Sequence, residues 1–90
     1  MQKGRLLKQI INMSKVTIYS TPSCVYCKMA KEFFKKNNVE YTEHNVAQDD
    51  RAREEMIKKS SQLGVPVIDI DGEIFVGFDQ AGLKKILKIS

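Results

Sequence analysis

A change of hydrophobic period at a pair of cysteines is the feature that most constrains the fold of this chain. Residues 15–20 alternate β-branched and aromatic side chains, which predicts a strand. Apolar residues then recur at helical spacing over residues 24–37, and Ser23 is suited to cap this helix. The sequence therefore predicts a strand followed at once by a helix, with Cys24 and Cys27 in the first helical turn.

The remaining segments extend this pattern to a complete α/β order. We predict a strand over 39–46, a helix from 49 to about 63 ended by Gly64, strands over 66–70 and 73–76 around an Asp71-Gly72 turn, and a last helix capped near Asp79. The order β-α-β-α-β-β-α fits a four-stranded mixed sheet with helices on both faces. Such sheets carry their sites at the carboxyl ends of strands, where the cysteine pair falls.

Length and charge limit the classes of protein that this sequence can form. Ninety residues allow one domain. The formal charge of +4 comes from scattered lysine pairs rather than a basic stripe with aromatics, so we expect no nucleic-acid partner. No stretch is long and apolar enough for a signal peptide or a membrane span, so we expect a cytoplasmic protein without membrane contact. We also expect a monomer.

The first twelve residues stand apart from the predicted domain. Residues 1–12 carry Leu6, Leu7, Ile10 and Ile11 on one helical face, while Met13-Ser14 forms a plausible alternative start before the first strand. We therefore divide the chain into an extension over 1–12, which is a tag, a leader or an added helix, and a domain over 13–90.

The spacing of the two cysteines favours redox chemistry. Two thiols three residues apart can close a small disulfide ring, and the N–H groups and dipole of a helix start favour thiolate at Cys24. A zinc site needs four ligands, but the chain has two cysteines and one histidine, so zinc would require a second subunit. A purely structural crosslink over so short a loop would constrain the unfolded chain little.

Three motifs of this sequence occur in the order and at the spacing that are typical of one protein family. With the cysteine pair, the Gly64-Val65-Pro66 turn and the Val76-Gly77-Phe78-Asp79 turn in place, residues 15–87 resemble a glutaredoxin of the thioredoxin superfamily, most closely the bacterial dithiol type. The resemblance implies a thioredoxin-like fold and thiol–disulfide exchange with glutathione as co-substrate. It implies no metal and no tightly bound cofactor, and its expected partners are glutathione and disulfide-containing proteins.

The resemblance also implies a role for each matching residue. Cys24 corresponds to the nucleophile and Cys27 to the resolving thiol. Pro66 corresponds to the family's cis-proline, which leaves the Val65 backbone free to pair with a peptide-like substrate. The implied glutathione contacts are Tyr26, Arg53, Val65, Pro66, Gly77, Phe78 and Asp79. Backbone N–H groups of the Gly77 turn would bind the γ-glutamyl carboxylate, Asp79 its ammonium, and Arg53 the glycyl carboxylate.

Departures from the family pattern leave alternatives open. The positions that depart from it are Thr21, Val25, Gly64 and Val76. The Gly77-Phe78 pair also looks like redoxins that thioredoxin reductase reduces and that supply ribonucleotide reductase, although these tend to lack an acid at the position of Asp79. A non-enzymatic alternative is an iron–sulfur carrier that ligates a cluster through Cys24 and glutathione.

Several of these residues also have a purely structural interpretation. Asp79 is a preferred helix cap, Arg53 can be a solvated helix residue, and Tyr26 can simply pack. We expect structural roles for His44, Thr17 and Tyr19. The residues expected in the core are Met29, Phe33, Phe34, Met56 and the isoleucines.

Overall fold

A computed structural model describes residues 14–89 of the chain, and the expected extension over 1–12 lies outside them. The elements follow the predicted order. They are β1 (Val16–Ser20), α1 (Val25–Lys36), β2 (Thr42–Asn45), α2 (Asp50–Ser60), β3 (Val67–Ile70), β4 (Glu73–Val76) and α3 (Gln80–Leu87). Among the described residues, none of the helices has the length and apolar character that a membrane crossing requires.

The strands form one mixed sheet in the order β2-β1-β3-β4. β1 runs parallel to β2 and antiparallel to β3, and β3 pairs with β4 through the predicted two-residue turn. Asp71 and Gly72 both have positive φ, 51° and 95°, as a type I′ hairpin requires. The α/β thioredoxin-like architecture predicted from the sequence is confirmed.

Alternating side chains on β1 and β3 divide the core between the two sheet faces. On one face Ile18 and Ile68 pack with residues of α1 and α3, notably Phe34 and Leu83. On the other face Tyr19 and Val67 pack against α2 through Ala52 and Met56. Because both faces of β1 are covered, all five of its residues are buried. This accounts for the run of β-branched and aromatic residues that predicted the strand.

The second strand is shorter than predicted because the end of α1 takes up the residues before it. Asn38 adopts a left-handed φ of 58°, and the Val39 N–H donates to the Phe34 carbonyl at 2.8 Å. This hydrogen bond closes a Schellman motif, so Val39 belongs to the helix cap and β2 begins only at Thr42.

Three further predictions at helix surfaces and ends are wrong. Cys24 rather than Ser23 is the N-cap of α1. Helix α2 ends at Ser60, since Ser61 turns to a left-handed φ of 59° and its N–H donates to the Ile57 carbonyl. Met29 is 43% exposed rather than in the core, because it lies on the flank of α1 and lines a shallow surface groove with Phe33 and Phe78.

Candidate active site

The two cysteines form a disulfide at the start of α1, with their Cα atoms 5.2 Å apart. Cys24 is the N-cap, and the backbone N–H of Cys27 donates to the Cys24 sulfur at 3.1 Å. Cys27 is completely buried, whereas Cys24 is half-buried. Only Cys24 therefore presents a sulfur to an incoming molecule, and a backbone donor already points at that sulfur.

The sheet register brings three loops to one edge. Tyr19 pairs with Val67, and Val67 in turn pairs with Val76. The carboxyl end of β1, which leads to Cys24, therefore lies beside the start of β3 and the end of β4. As a result, the cysteine loop, the Val65-Pro66 loop and the turn from Gly77 to Asp79 share this edge.

The loop before β3 presents the Val65 backbone at this edge. The Val65–Pro66 peptide bond is cis. Within residues 14–89, the N–H and the carbonyl of Val65 pair with no other protein group. The side chain of Gln62 braces the loop, accepting from the Gly64 N–H at 2.7 Å and donating to the Gly64 carbonyl at 3.0 Å. Sequence reasoning missed Gln62, because only the closed loop shows that its amide matches the Gly64 backbone.

The turn after β4 meets the expected arrangement only in part. Gly77 has a φ of 84°, a left-handed conformation that favours glycine. Its N–H donates to the Pro66 carbonyl at 2.8 Å, so this one group of the turn is already engaged within the protein. The N–H groups of Phe78 and Asp79 have no protein acceptor within the described part of the chain.

Asp79 is the N-cap of α3, as the structural interpretation predicted. Its Oδ1 accepts from the Gly82 N–H at 3.1 Å, and the residue is exposed. A carboxylate accepts hydrogen bonds through both oxygens, so the cap leaves room for a cationic partner.

The two remaining predicted glutathione contacts, Tyr26 and Arg53, lie on helices that cover opposite faces of the sheet. Tyr26 is 62% exposed in the first turn of α1, between the two cysteines, so its ring is free to contact a bound molecule. Arg53 is exposed in the first turn of α2, on the opposite face of the sheet from α1. Helix α2 starts near the same edge, because the Val46 N–H that follows β2 donates to the Ser20 carbonyl at 2.9 Å.

A polar cluster on the face of the sheet that α2 covers includes Tyr19, for which only a structural role was expected. The Tyr19 hydroxyl donates to Glu55 at 2.7 Å and accepts from Lys59 at 2.9 Å, and Lys59 also donates to Asp69 at 2.8 Å. Burial is the main cause that raises the pKa of Tyr19. Burial alone would raise the pKa of Asp69, but hydrogen bonds from Lys59 and Gly72 outweigh it and lower that pKa. His44 stacks on the Tyr19 ring, in agreement with its expected structural role.

Comparison with known proteins agrees with the fold and the cysteine motif. A sequence model of the glutaredoxin family matches residues 16–76. The chain is 49% identical over 73 residues to a glutaredoxin-like protein of the rubredoxin operon of Clostridium pasteurianum, covering 81% of this chain and 97% of that one. It is 35% identical over 83 residues to glutaredoxin 3 of Escherichia coli, covering 84% of this chain and all of that one.

A second type of relative and a solved structure complete the comparison. The chain is 31% identical over 74 residues to the glutaredoxin-like protein NrdH of Lactococcus lactis, covering 79% of this chain and 97% of that one. A crystal structure of a variant of the thioredoxin-like protein BC3987 superposes with a TM-score of 0.81 at 37% identity, covering 87% of this chain and all of that one. With its Cys-x-x-Cys disulfide at the sheet edge, the chain belongs to the glutaredoxin family and is a glutaredoxin-like redox protein.

Proposed function

We propose that this protein is a glutathione-dependent thiol–disulfide oxidoreductase that acts on glutathionylated proteins and protein disulfides in the cytoplasm. The observation that carries the proposal is the amino terminus of α3, where the free N–H groups of Phe78 and Asp79 adjoin the exposed Asp79 carboxylate. A γ-glutamyl group carries one carboxylate and one ammonium on the same carbon. The N–H groups would bind the carboxylate, and Asp79 would bind the ammonium.

Neighbouring groups provide a place for the rest of the tripeptide. The unpaired N–H and carbonyl of Val65 can pair with an extended peptide backbone in the way that a sheet edge does. The exposed ring of Tyr26 lies in the turn between the cysteines, and Arg53 supplies a cation for the glycyl carboxylate. The 35% identity to a glutaredoxin supports the same assignment.

In the proposed reaction, the Cys24 thiolate attacks the glutathione sulfur of a glutathionylated protein. The protein sulfur leaves as a thiolate and takes up a proton, and Cys24 holds glutathione as a mixed disulfide. A second glutathione, as thiolate, attacks the glutathione sulfur of this disulfide, releases oxidised glutathione and restores the Cys24 thiolate. With a protein disulfide, the Cys24 thiolate attacks one sulfur, and the other sulfur leaves as a thiolate that takes up a proton. Cys27 then loses its proton and attacks the Cys24 sulfur, which closes the intramolecular disulfide and releases the second protein thiolate. Two glutathione molecules reduce this disulfide and leave as oxidised glutathione.

Substitution of Asp79 tests the proposal, because two variants separate its capping role from its binding role. Asparagine is as good an N-cap as aspartate but carries no charge. Asp79→Asn should therefore keep the thermal stability of the protein and raise KM for a glutathionylated peptide by roughly tenfold to hundredfold, since a charge-assisted hydrogen bond contributes about 1.5–3 kcal/mol. Asp79→Ala should show the same rise in KM and also lower the melting temperature.

The control removes the same charge elsewhere. The control variant is Asp71→Asn, in the hairpin turn at the opposite end of the sheet. Asparagine tolerates the positive φ of this position, so the variant should leave KM unchanged. An Asp79→Asn variant that binds the glutathionylated peptide as well as the natural protein would contradict the proposal.

A redoxin reduced by thioredoxin reductase is the second candidate. Two observations favour it: the Gly77 N–H is engaged by Pro66 instead of facing a ligand, and the chain shares 31% identity with a glutaredoxin-like NrdH protein. Exposed apolar side chains beside Cys24, those of Val25 and Tyr26, would suit a protein partner. The choice between the two candidates therefore depends on the electron donor.

A further inference from the structure

A single carboxylate oxygen joins both ends of the segment that carries the cysteines. Glu43 Oε2, on β2, accepts from the Ser20 hydroxyl at 2.8 Å and from the Lys31 ammonium at 2.8 Å. Ser20 is the last residue of β1, four positions before Cys24, and Lys31 lies four positions after Cys27 in α1. The end of β1 and the middle of α1, which lie on either side of the cysteine turn, thus both bind one oxygen on the neighbouring strand.

The helix geometry places this ion pair beside the resolving cysteine. Side chains four residues apart on a helix lie on one face, with Cβ atoms about 5–6 Å apart. Cys27 and Lys31 are such a pair, and Cys27 is buried on the sheet side of α1. The Lys31 ammonium beside Glu43 is the main cause that holds the pKa of that carboxyl below its ordinary value. Lys31 lies one helical turn beyond Cys27 and seven residues beyond Cys24, or about 10 Å along the helix axis from the residue that carries the thiolate.

We infer that the two opposite charges of the Lys31–Glu43 ion pair cancel at the Cys24 thiolate, so that the redox potential of the Cys24–Cys27 couple depends on both charges being present together. Reduction breaks the disulfide with two electrons and one proton and leaves a thiolate at Cys24 and a thiol at Cys27. The oxidised form has no such negative charge, so nearby charges act almost entirely on the reduced form. Lys31 and Glu43 are positioning residues in this inference, which rests on the proposed redox role of the couple.

Two single substitutions should shift the redox potential of the cysteine couple in opposite directions. Glu43→Gln removes the negative charge and leaves Lys31 unbalanced, which stabilises the thiolate and makes the couple more oxidising. Lys31→Met leaves the Glu43 carboxylate unbalanced, which destabilises the thiolate and makes the couple more reducing. If the Lys31–Glu43 ion pair had only a mechanical role, the redox potentials of both variants would shift in the same direction, because each substitution breaks the same ion pair.

The experiment is a redox titration of the purified protein against dithiothreitol, which supplies both electrons by closing its own disulfide. For charges about 10 Å from the thiolate, each single variant should change the equilibrium constant at least threefold, or about 14 mV for a two-electron couple. The Lys31→Met/Glu43→Gln double variant should return towards the natural value, and Lys31→Arg should keep it. Because the side chains are 25% and 39% exposed, the single-variant shifts should shrink in 1 M salt.

Matched controls lie on the exposed side of the same helix. Glu32→Gln and Lys36→Met make the same charge changes on side chains directed away from Cys27 and should leave the potential unchanged. Single variants that shift in the same direction, or that do not shift, would overturn the inference while the couple still cycles. A natural protein whose disulfide did not cycle would instead overturn the proposed function and, with it, this inference.

Discussion

At the scale of single residues, the two cysteines have different surroundings although only two residues separate them. Cys24 is half-buried and its sulfur accepts the Cys27 N–H, whereas the sulfur of Cys27 is enclosed by the protein. A backbone donor stabilises negative charge on the sulfur that it faces. The asymmetry supports attack by Cys24 and resolution by Cys27.

Replacing each cysteine with serine should separate these roles. Cys24→Ser should abolish all exchange, because an alcohol cannot form the mixed disulfide. Cys27→Ser should retain release of glutathione from glutathionylated peptides when free glutathione is present, but lose the reduction of protein disulfides. The measurement is the turnover of both substrate types by each variant. The reverse result, an active Cys24→Ser and an inactive Cys27→Ser, would refute the assignment.

Backbone groups limit how much of the candidate site the sequence can predict. The strand order predicts that Cys24 lies at the carboxyl end of β1, whereas the roles of Pro66 and Asp79 come only from the family resemblance. The engagement of the Gly77 N–H by the Pro66 carbonyl depends on the register of β3 and β4 beyond their last pair. The two-residue Asp71-Gly72 turn fixes this register and puts position 66 opposite position 77, whereas the family motif alone does not indicate the hydrogen bond.

At the scale of elements, α2 is attached to the sheet by both apolar and polar contacts. Its own Ala52 and Met56 pack onto the sheet, and its Lys59 binds Tyr19 on β1 and Asp69 on β3. The sequence does not predict this cluster, since its four members come from three separate elements with no common motif. The boundary errors at β2 and α2 have a similar cause, because cap hydrogen bonds rather than propensity end α1 and α2.

Lys59 should contribute to the pH dependence of stability through Asp69. The lowered pKa of Asp69 gives stability that is present above its unfolded value of about 4 and is lost as pH falls through the lower, folded value. Lys59→Met should lower the free energy of unfolding at pH 7 by about 1–3 kcal/mol. It should also flatten the decline below about pH 4, because the folded and unfolded pKa values of Asp69 then converge.

Urea unfolding of both proteins between about pH 2 and pH 7 measures this effect. Lys58→Met is the control, since its side chain is exposed at the neighbouring position of α2. Parallel pH curves for the natural protein and Lys59→Met would show that the ion pair with Asp69 does not contribute.

At the scale of the whole molecule, the sequence predicts the complete order of elements because each has a distinct local pattern. β1 has alternating residues buried on both faces, α1 has a helical stripe, and the β3–β4 hairpin has an Asp-Gly turn. The α/β order and the connection rules then leave few ways to arrange four strands. The division at residue 13 stays a prediction.

Deletion of residues 1–12 should leave exchange rates nearly unchanged, because all the candidate site residues and both core clusters lie within the described residues 14–89. The measurement is kcat/KM for a glutathionylated peptide together with the elution volume on a sizing column. A large loss of turnover, or a change of oligomeric state, would show that the extension contributes to function.

The electron donor is the most direct test of the central claim. The natural protein is assayed with one disulfide substrate and NADPH, coupled either to glutathione and glutathione reductase or to thioredoxin reductase alone. The account predicts efficient turnover with glutathione and poor turnover with thioredoxin reductase. Efficient reduction by thioredoxin reductase, with no turnover in the presence of glutathione, would contradict it.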